Sequence, residues 1–404
     1  MPNATPKQIL TLAAAVFVTT AFTAWLTTDS TRPALAQRSR GEIHVDFQRG
    51  KDRAKGTARS PLKTISAAIA RLPDPLTQSM DIHIKGAPHT TTGGQGMLED
   101  TLELHHRMKP GVHVRLLGER KGGVILDWQS SRRPYLITVT EGHWILESLQ
   151  IGSRKDRQRQ GLSASGAGLA ELINVTVRTK SLSGAGIRAG RGGQIWLRGV
   201  IALNEDFHDA IPGDESFAGI VAEEHAIVQF KDRNGSLSIG NGSLMSSYFG
   251  CIRLGCKTAK ITSWSGQGNP IAVNNSGRVD LHGTTTTLRP TRASNTPIGL
   301  EDDGHVLAEG AHIIIESVKD GSGIVLQKSS ALYCQDIEFR GTPRYTLIAY
   351  SGSNFVGDFR GEVHDVHATT GSTIAIGGKP TLVGPFRATK GGTLSLPDGR
   401  VLRE

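Results

Sequence analysis

Ile271-Ala272-Val273-Asn274-Asn275-Ser276-Gly277-Arg278-Val279-Asp280-Leu281 and Ile298-Gly299-Leu300-Glu301-Asp302-Asp303-Gly304-His305-Val306-Leu307-Ala308 follow one plan. Apolar or small residues stand at offsets 0 and 2, a polar stretch covers offsets 3 to 6, and apolar or small residues return at 8 and 10. Alternation on either side of a polar turn reads as two short strands, each sending every second side chain inward. The same opening recurs from Ile187, Ile220, Ile252, Ile271, Ile298, Ile324, Leu347 and Ile374, at intervals of 33, 32, 19, 27, 26, 23 and 27 residues. Offset 8 falls on Ile195, Val228, Lys260 (beside Ile261), Val279, Val306, Leu332, Phe355 and Leu382. A repeat with loose period and tight inner spacing predicts stacked coils, in which each coil buries its apolar face only against its neighbours. Equivalent strands of successive coils run the same way, so the sheets are parallel. The expected fold is all-β, a right-handed parallel β-helix solenoid.

Composition agrees. Of 404 residues, 37% are apolar, only 5% are aromatic and 49 are glycine, which suits a chain that turns constantly around a narrow core. Lys7 precedes an apolar stretch from Ile9 to Leu26, and Ala34-Leu35-Ala36 supplies a signal-peptidase pattern. Residues 1–36 are therefore expected to be a secretory signal, with a retained membrane anchor as the competing reading. Residues 41–125 are expected to form an N-terminal cap and the first coils, and residues 126–400 the remaining coils and a C-terminal cap. Secreted, periplasmic or cell-surface placement follows, and no transmembrane segment is expected in the mature chain.

Within the cap, Ile43-His44-Val45-Asp46-Phe47 alternates like a strand. Ser60 and Pro61 suggest an N-cap and first-turn proline for a helix of about three turns carrying Leu62, Ile65, Ile69 and Leu72 on one face. The stretch Ile43 to Ile69, with Gly50, Asp52, Gly56, Thr57, Pro61, Thr64, Ile65 and Ala68, resembles the opening of the pectin-lyase-like superfamily of parallel β-helices. That resemblance implies a secreted solenoid that cleaves, de-esterifies or binds polysaccharide. The Asp-Phe pair Asp206-Phe207 and the Asp302-Asp303-Gly304-His305 run lack the rest of the methylesterase and polygalacturonase signatures, so the resemblance assigns no catalytic residue.

Formal charge is +9, and removing Lys7, Arg32 and Asp29 with the signal leaves 44 − 36 = +8. Basic residues concentrate in Arg154-Lys155-Asp156-Arg157-Gln158-Arg159 and at Arg178, Lys180, Arg188 and Arg191. On an exported protein this points to anionic polysaccharide. Nucleic acid is disfavoured, because no binding motif or aromatic platform accompanies the charge. Cys251, Cys256 and Cys334 are too few for a disulfide framework, and Cys334 falls on a core position.

Offsets 3 and 4 should form an outward column beside a groove: Gly190 and Arg191, Glu223 and Glu224, Gly255 and Cys256, Asn274 and Asn275, Glu301 and Asp302, Gln327 and Lys328, Tyr350 and Ser351. Asp302, Lys328, Asp303, His305 and Glu301 are the catalytic candidates, with Asn274, Asn275, Arg253, Glu224, Tyr350 and Arg191 as substrate-binding candidates. A glycoside hydrolase needs a pair of carboxylates. A lyase needs a cation against the uronate carboxylate and a base for the α-proton. In a non-catalytic adhesive module the column would be structural and the basic loops would provide contact, and a tailspike-like fibre would share the same opening and solenoid. No motif demands a cofactor. Ca²⁺ is the one ion suggested, by the acidic stretch holding Asp206 and Asp209, although its order matches no calcium-loop motif and a solvated acidic loop is the favoured reading.

Overall fold

The computed structural model describes residues 41–86, 96–98, 101–119, 124–128, 135–152, 160–178, 185–203, 218–240, 242–263, 269–291, 296–316 and 320–404. These form a right-handed parallel β-helix, whose coils are built from three columns of strands joined by crossovers of the kind that is almost invariably right-handed. In the first column Ile187, Ile220, Leu244, Ile271, Ile298, Ile324, Leu347 and Val366 stack in register. Ile195, Val228, Ile252, Val279, Val306, Leu332, Phe355, Ile374 and Leu394 do so in the second. Leu203, Ile239, Ile261, Leu288, Ile315 and Phe339 do so in the third. All are buried, and together they form one continuous core. Cys334 lies in that core beneath Ala308, as expected of a small apolar filler.

Two of the eight openings sit in a different column from the other six. Ile252 and Ile374 belong to the second column, and Leu244 and Val366 hold the first-column places in those coils. Both columns alternate apolar and outward residues, so spacing alone does not separate an opening from its successor. Gly255 and Cys256 consequently leave the outward turn, and Ser247 and Tyr248 take their place.

The link between first and second columns is nearly invariant. In nine coils a four-residue turn is closed by an N–H···O bond of 2.9–3.3 Å, as from Gly250 to Ser247, Gly277 to Asn274 and Gly304 to Glu301. Both central residues have positive φ, from Arg191 (49°) and Gly192 (77°) to Lys390 (50°) and Gly391 (77°), the type I′ geometry that matches strand twist. Between coils, the second central N–H donates to the first central carbonyl of the next turn, as Ser276 to Asp302 at 2.8 Å and Asp303 to Lys328 at 3.0 Å. The ladder therefore passes through the turns without a break. The residue closing each turn is always small: Gly193, Ala226, Gly250, Gly277, Gly304, Ser330, Ser353, Ser372 and Gly392. A Cβ on Gly277 would stand 2.4 Å from the Ser246 carbonyl oxygen of the coil before.

At the N-terminal end the helix α1 (Ile65–Ile69) is shorter than expected and is capped by Thr64, whose side chain accepts from the Ala67 N–H. Asp52 fixes that cap by accepting from the Thr64 N–H at 2.9 Å and the Lys63 N–H at 3.1 Å. Leu62 is not helical because it bridges to Val45, exchanging backbone bonds with His44 and Asp46. At the other end Val401–Arg403 runs antiparallel to Thr393–Ser395. No helix among the described residues is long and apolar enough to cross a membrane.

Gly277→Val forces a side chain into the preceding coil and should destabilise the fold by about 1–3 kcal/mol. A urea melt checks this, and an unchanged midpoint would show that the turn stack accommodates a Cβ there.

Candidate functional site

The turn column sets the sequence candidates along one edge. Lys328 Nζ lies 2.7 Å from Glu301 Oε1 and 3.2 Å from Asp302 Oδ1, joining residues 26 and 27 places apart in sequence. These hydrogen bonds, to Glu301 first and Asp302 second, hold the Lys328 pKa above its ordinary value. One turn earlier are Asn275 and the half-buried Asn274, whose Oδ1 is buried without a hydrogen-bond partner. Tyr350 is half-buried one coil beyond Lys328. Three coils before Asp302, Glu224 pairs with Arg191 at 3.6 Å, and Glu223 pairs with Arg188.

Not every candidate joins this edge. Asp303 is exposed on the Glu301 turn, next to the half-buried Asp302, but His305 is exposed at the start of the second-column strand His305–Ala308. Arg253 is also on the second column, 3.6 Å from Asp280, which holds Arg278 at 2.5 Å. Its displacement follows directly from the column of Ile252. Asp206, Asp209 and the basic run 154–159 lie outside the described residues.

Three aromatic residues on the same edge escape the sequence reading. Tyr248 and Phe249 are the central residues of one turn, 57% and 61% exposed, with φ of 48° and 63°. Bulky residues seldom adopt this conformation, so two in succession carry local strain of about 1–3 kcal/mol each. The Phe249 ring stacks on His225 of the preceding turn, with centroids 5.1 Å apart and planes within 3°. Leu244-Met245-Ser246-Ser247-Tyr248-Phe249-Gly250-Cys251-Ile252 has the repeat spacing, and starting the coil at Leu244 would have exposed the pair.

A second polar cluster lies on the outer face of the second column. Arg115 grips Asp81 at 2.6 Å and Glu147 at 3.3 Å. Glu171, only 5% exposed, meets His143 at 3.1 Å and Arg198 at 2.5 Å. Burial pushes the Glu171 pKa up, but the His143 hydrogen bond and the charges of Arg198, His143 and His113 outweigh it, and the net shift is downward. Trp196 packs edge-on against His143 and carries Lys231 Nζ 4.7 Å above its ring. Burial meanwhile raises the Cys256 thiol to about 11 and the Cys334 thiol to about 12, so neither supplies a thiolate nucleophile near neutral pH.

The fold class is thus a parallel β-helix with a polar and aromatic turn edge. No protein-family model matches the sequence, and no curated protein matches it. Among solved structures the chain is similar to GH136 lacto-N-biosidase from Eubacterium ramulus, in its native and selenomethionine forms. TM-scores are 0.37 and 0.36, and identities 10% and 11%, over 87% of this chain and 67% of that one. A likeness this distant carries no residue assignment.

A carboxylate with a lowered folded-state pKa stabilises above its unfolded-state pKa, and that contribution is lost as pH falls through the folded value. Glu171→Gln should therefore cost about 1.5–3 kcal/mol at neutral pH, with the gap to wild type closing on acidification. Urea midpoints across pH test this, and a gap independent of pH would contradict the ion-pair account.

Proposed function

We propose that the protein is an exported β-helix that binds polysaccharide, anionic by preference, along the turn edge running from Arg191 to Tyr350. The observation that carries this reading is the exposed Tyr248-Phe249 pair, with Phe249 stacked on His225, beside turns bearing carboxylates, amides and a lysine. Aromatic faces carry negative quadrupole density that attracts the polarised C–H groups of a sugar ring. Asn274, Asn275, Glu224, Arg191 and Tyr350 offer hydrogen-bonding groups on either side. Lys328, kept protonated by two carboxylates, is suited to pair with a uronate or sulfate rather than to act as a base. The basic balance and the pectin-lyase-like opening support an anionic glycan, and the pattern of residues 1–36 supports export.

Bond cleavage by Asp302, Asp303, Glu301 or His305 is the second reading, favoured by the three adjacent acidic residues on one turn. Incubation with uronate, sulfated and neutral glycans, with and without Ca²⁺, separates the two. Unsaturated products or new reducing ends would establish lyase or hydrolase chemistry, whereas salt-reversible retention without products is the expected result. Replacing Tyr248 and Phe249 together by Ala should weaken retention about tenfold or more. Lys328→Met should reduce its salt dependence. Unchanged retention in both variants would remove the turn edge as the site.

A further inference from the structure

Far from the aromatic turn, the first two coils bring together a different set of side chains. Gly41–Asp46 pairs in parallel with Met80–Lys85, placing His44 directly opposite His83 and Glu42 opposite Asp81. The two imidazoles stack with centroids 4.8 Å apart and planes within 12°. Glu42 Oε2 lies 3.7 Å from His44 Nε2. One potential ligand atom from each of Glu42, His44 and His83 lies within 4.8 Å of the others, an arrangement with no equal in its class among the described residues.

His83 adds an independent observation. Its Nε2 is buried and has no hydrogen-bond partner. A buried polar atom left unpaired is rare and calls for an explanation. On the side away from His44, its register neighbour is Leu117, which offers nothing to bond. The competing charges are already engaged: Asp81 is held by Arg115 at 2.6 Å, and Lys85 pairs with Glu119 at 3.9 Å. Glu42, 60% exposed, is free to swing toward the imidazoles.

From this geometry we infer that Glu42, His44 and His83 form a binding site for a divalent transition metal such as Zn²⁺. Two imidazoles and one carboxylate match the ligand types zinc prefers, and three protein ligands leave a fourth position for water. Ligand atoms around tetrahedral zinc stand about 3.4 Å apart, given bonds of about 2.1 Å. Closing from 4.8 Å requires only side-chain rotation, because the strand register already fixes the two backbones. The bound ion would take up the orphaned His83 nitrogen and tie the first strand to the second across the loop that contains α1. The site is separate from the proposed glycan edge, so either reading can fail without the other.

Calorimetric titration of the full chain with Zn²⁺ alone should show one site per molecule. Glu42→Gln and His83→Ala should each weaken it at least about tenfold, and Zn²⁺ should raise the wild-type melting temperature more than that of either variant. Glu42 is exposed, so Glu42→Gln should melt like wild type in metal-free buffer, which separates loss of binding from loss of fold. Absence of uptake by the wild type, or equal affinity in wild type and Glu42→Gln, would overturn the assignment.

Discussion

The hydrogen-bonded ladder that continues through the type I′ turns is the constraint from which the rest of the molecule follows. Each turn donates to the next, so successive coils are locked at the strand spacing of about 4.8 Å at their corners as well as along their strands. A small residue closes each of these turns, and where it is glycine a carbonyl of the preceding coil occupies the space a Cβ would need. With that corner fixed, length variation between coils is taken up elsewhere: Leu203 and Ala218, for example, are separated by 14 residues.

Much of this fold was legible because period-two alternation on both sides of a four-residue turn has few structural solutions. The cap was legible in kind but not in extent. Ser60 and Pro61 look like a helix start, yet backbone bonding of Leu62 to the first strand outcompetes helix propensity and defers the cap to Thr64. The candidate site was legible in part. Asp302 and Lys328 meet as their coil offsets require, whereas Tyr248 and Phe249 went unseen through a slip of one column at Ile252, and His225 stands one place beyond the two outward offsets read from Ile220. That error has a physical origin, since inward residues of adjacent columns are chemically alike and only the intervening turn distinguishes them. Pairings across the second column, such as Glu171 with His143 and Arg198, depend on register over many residues and left no local trace.

Charge on the outer faces is largely organised into pairs between neighbouring coils: Asp81 with Arg115, Glu171 with Arg198, Arg253 with Asp280, and Lys328 with Glu301. Like charges one rung apart would repel across a short and partly desolvated gap, so alternation in sign is what a parallel stack demands. The pairing keeps these outer faces polar, and Tyr248 and Phe249 are the most exposed of the large apolar side chains among the described residues.

Viewed as a code, the turn edge separates the container from its contents. Each of the nine turns reserves two outward positions whose backbone is dictated and whose side chains are not, so each can be rewritten while its neighbours stay legible. Several turns fill them with residues tolerant of left-handed backbone, such as Asn275 in one and Gly352 in another. Tyr248-Phe249 is the inscription least compatible with the medium, and so the one whose presence carries the most information.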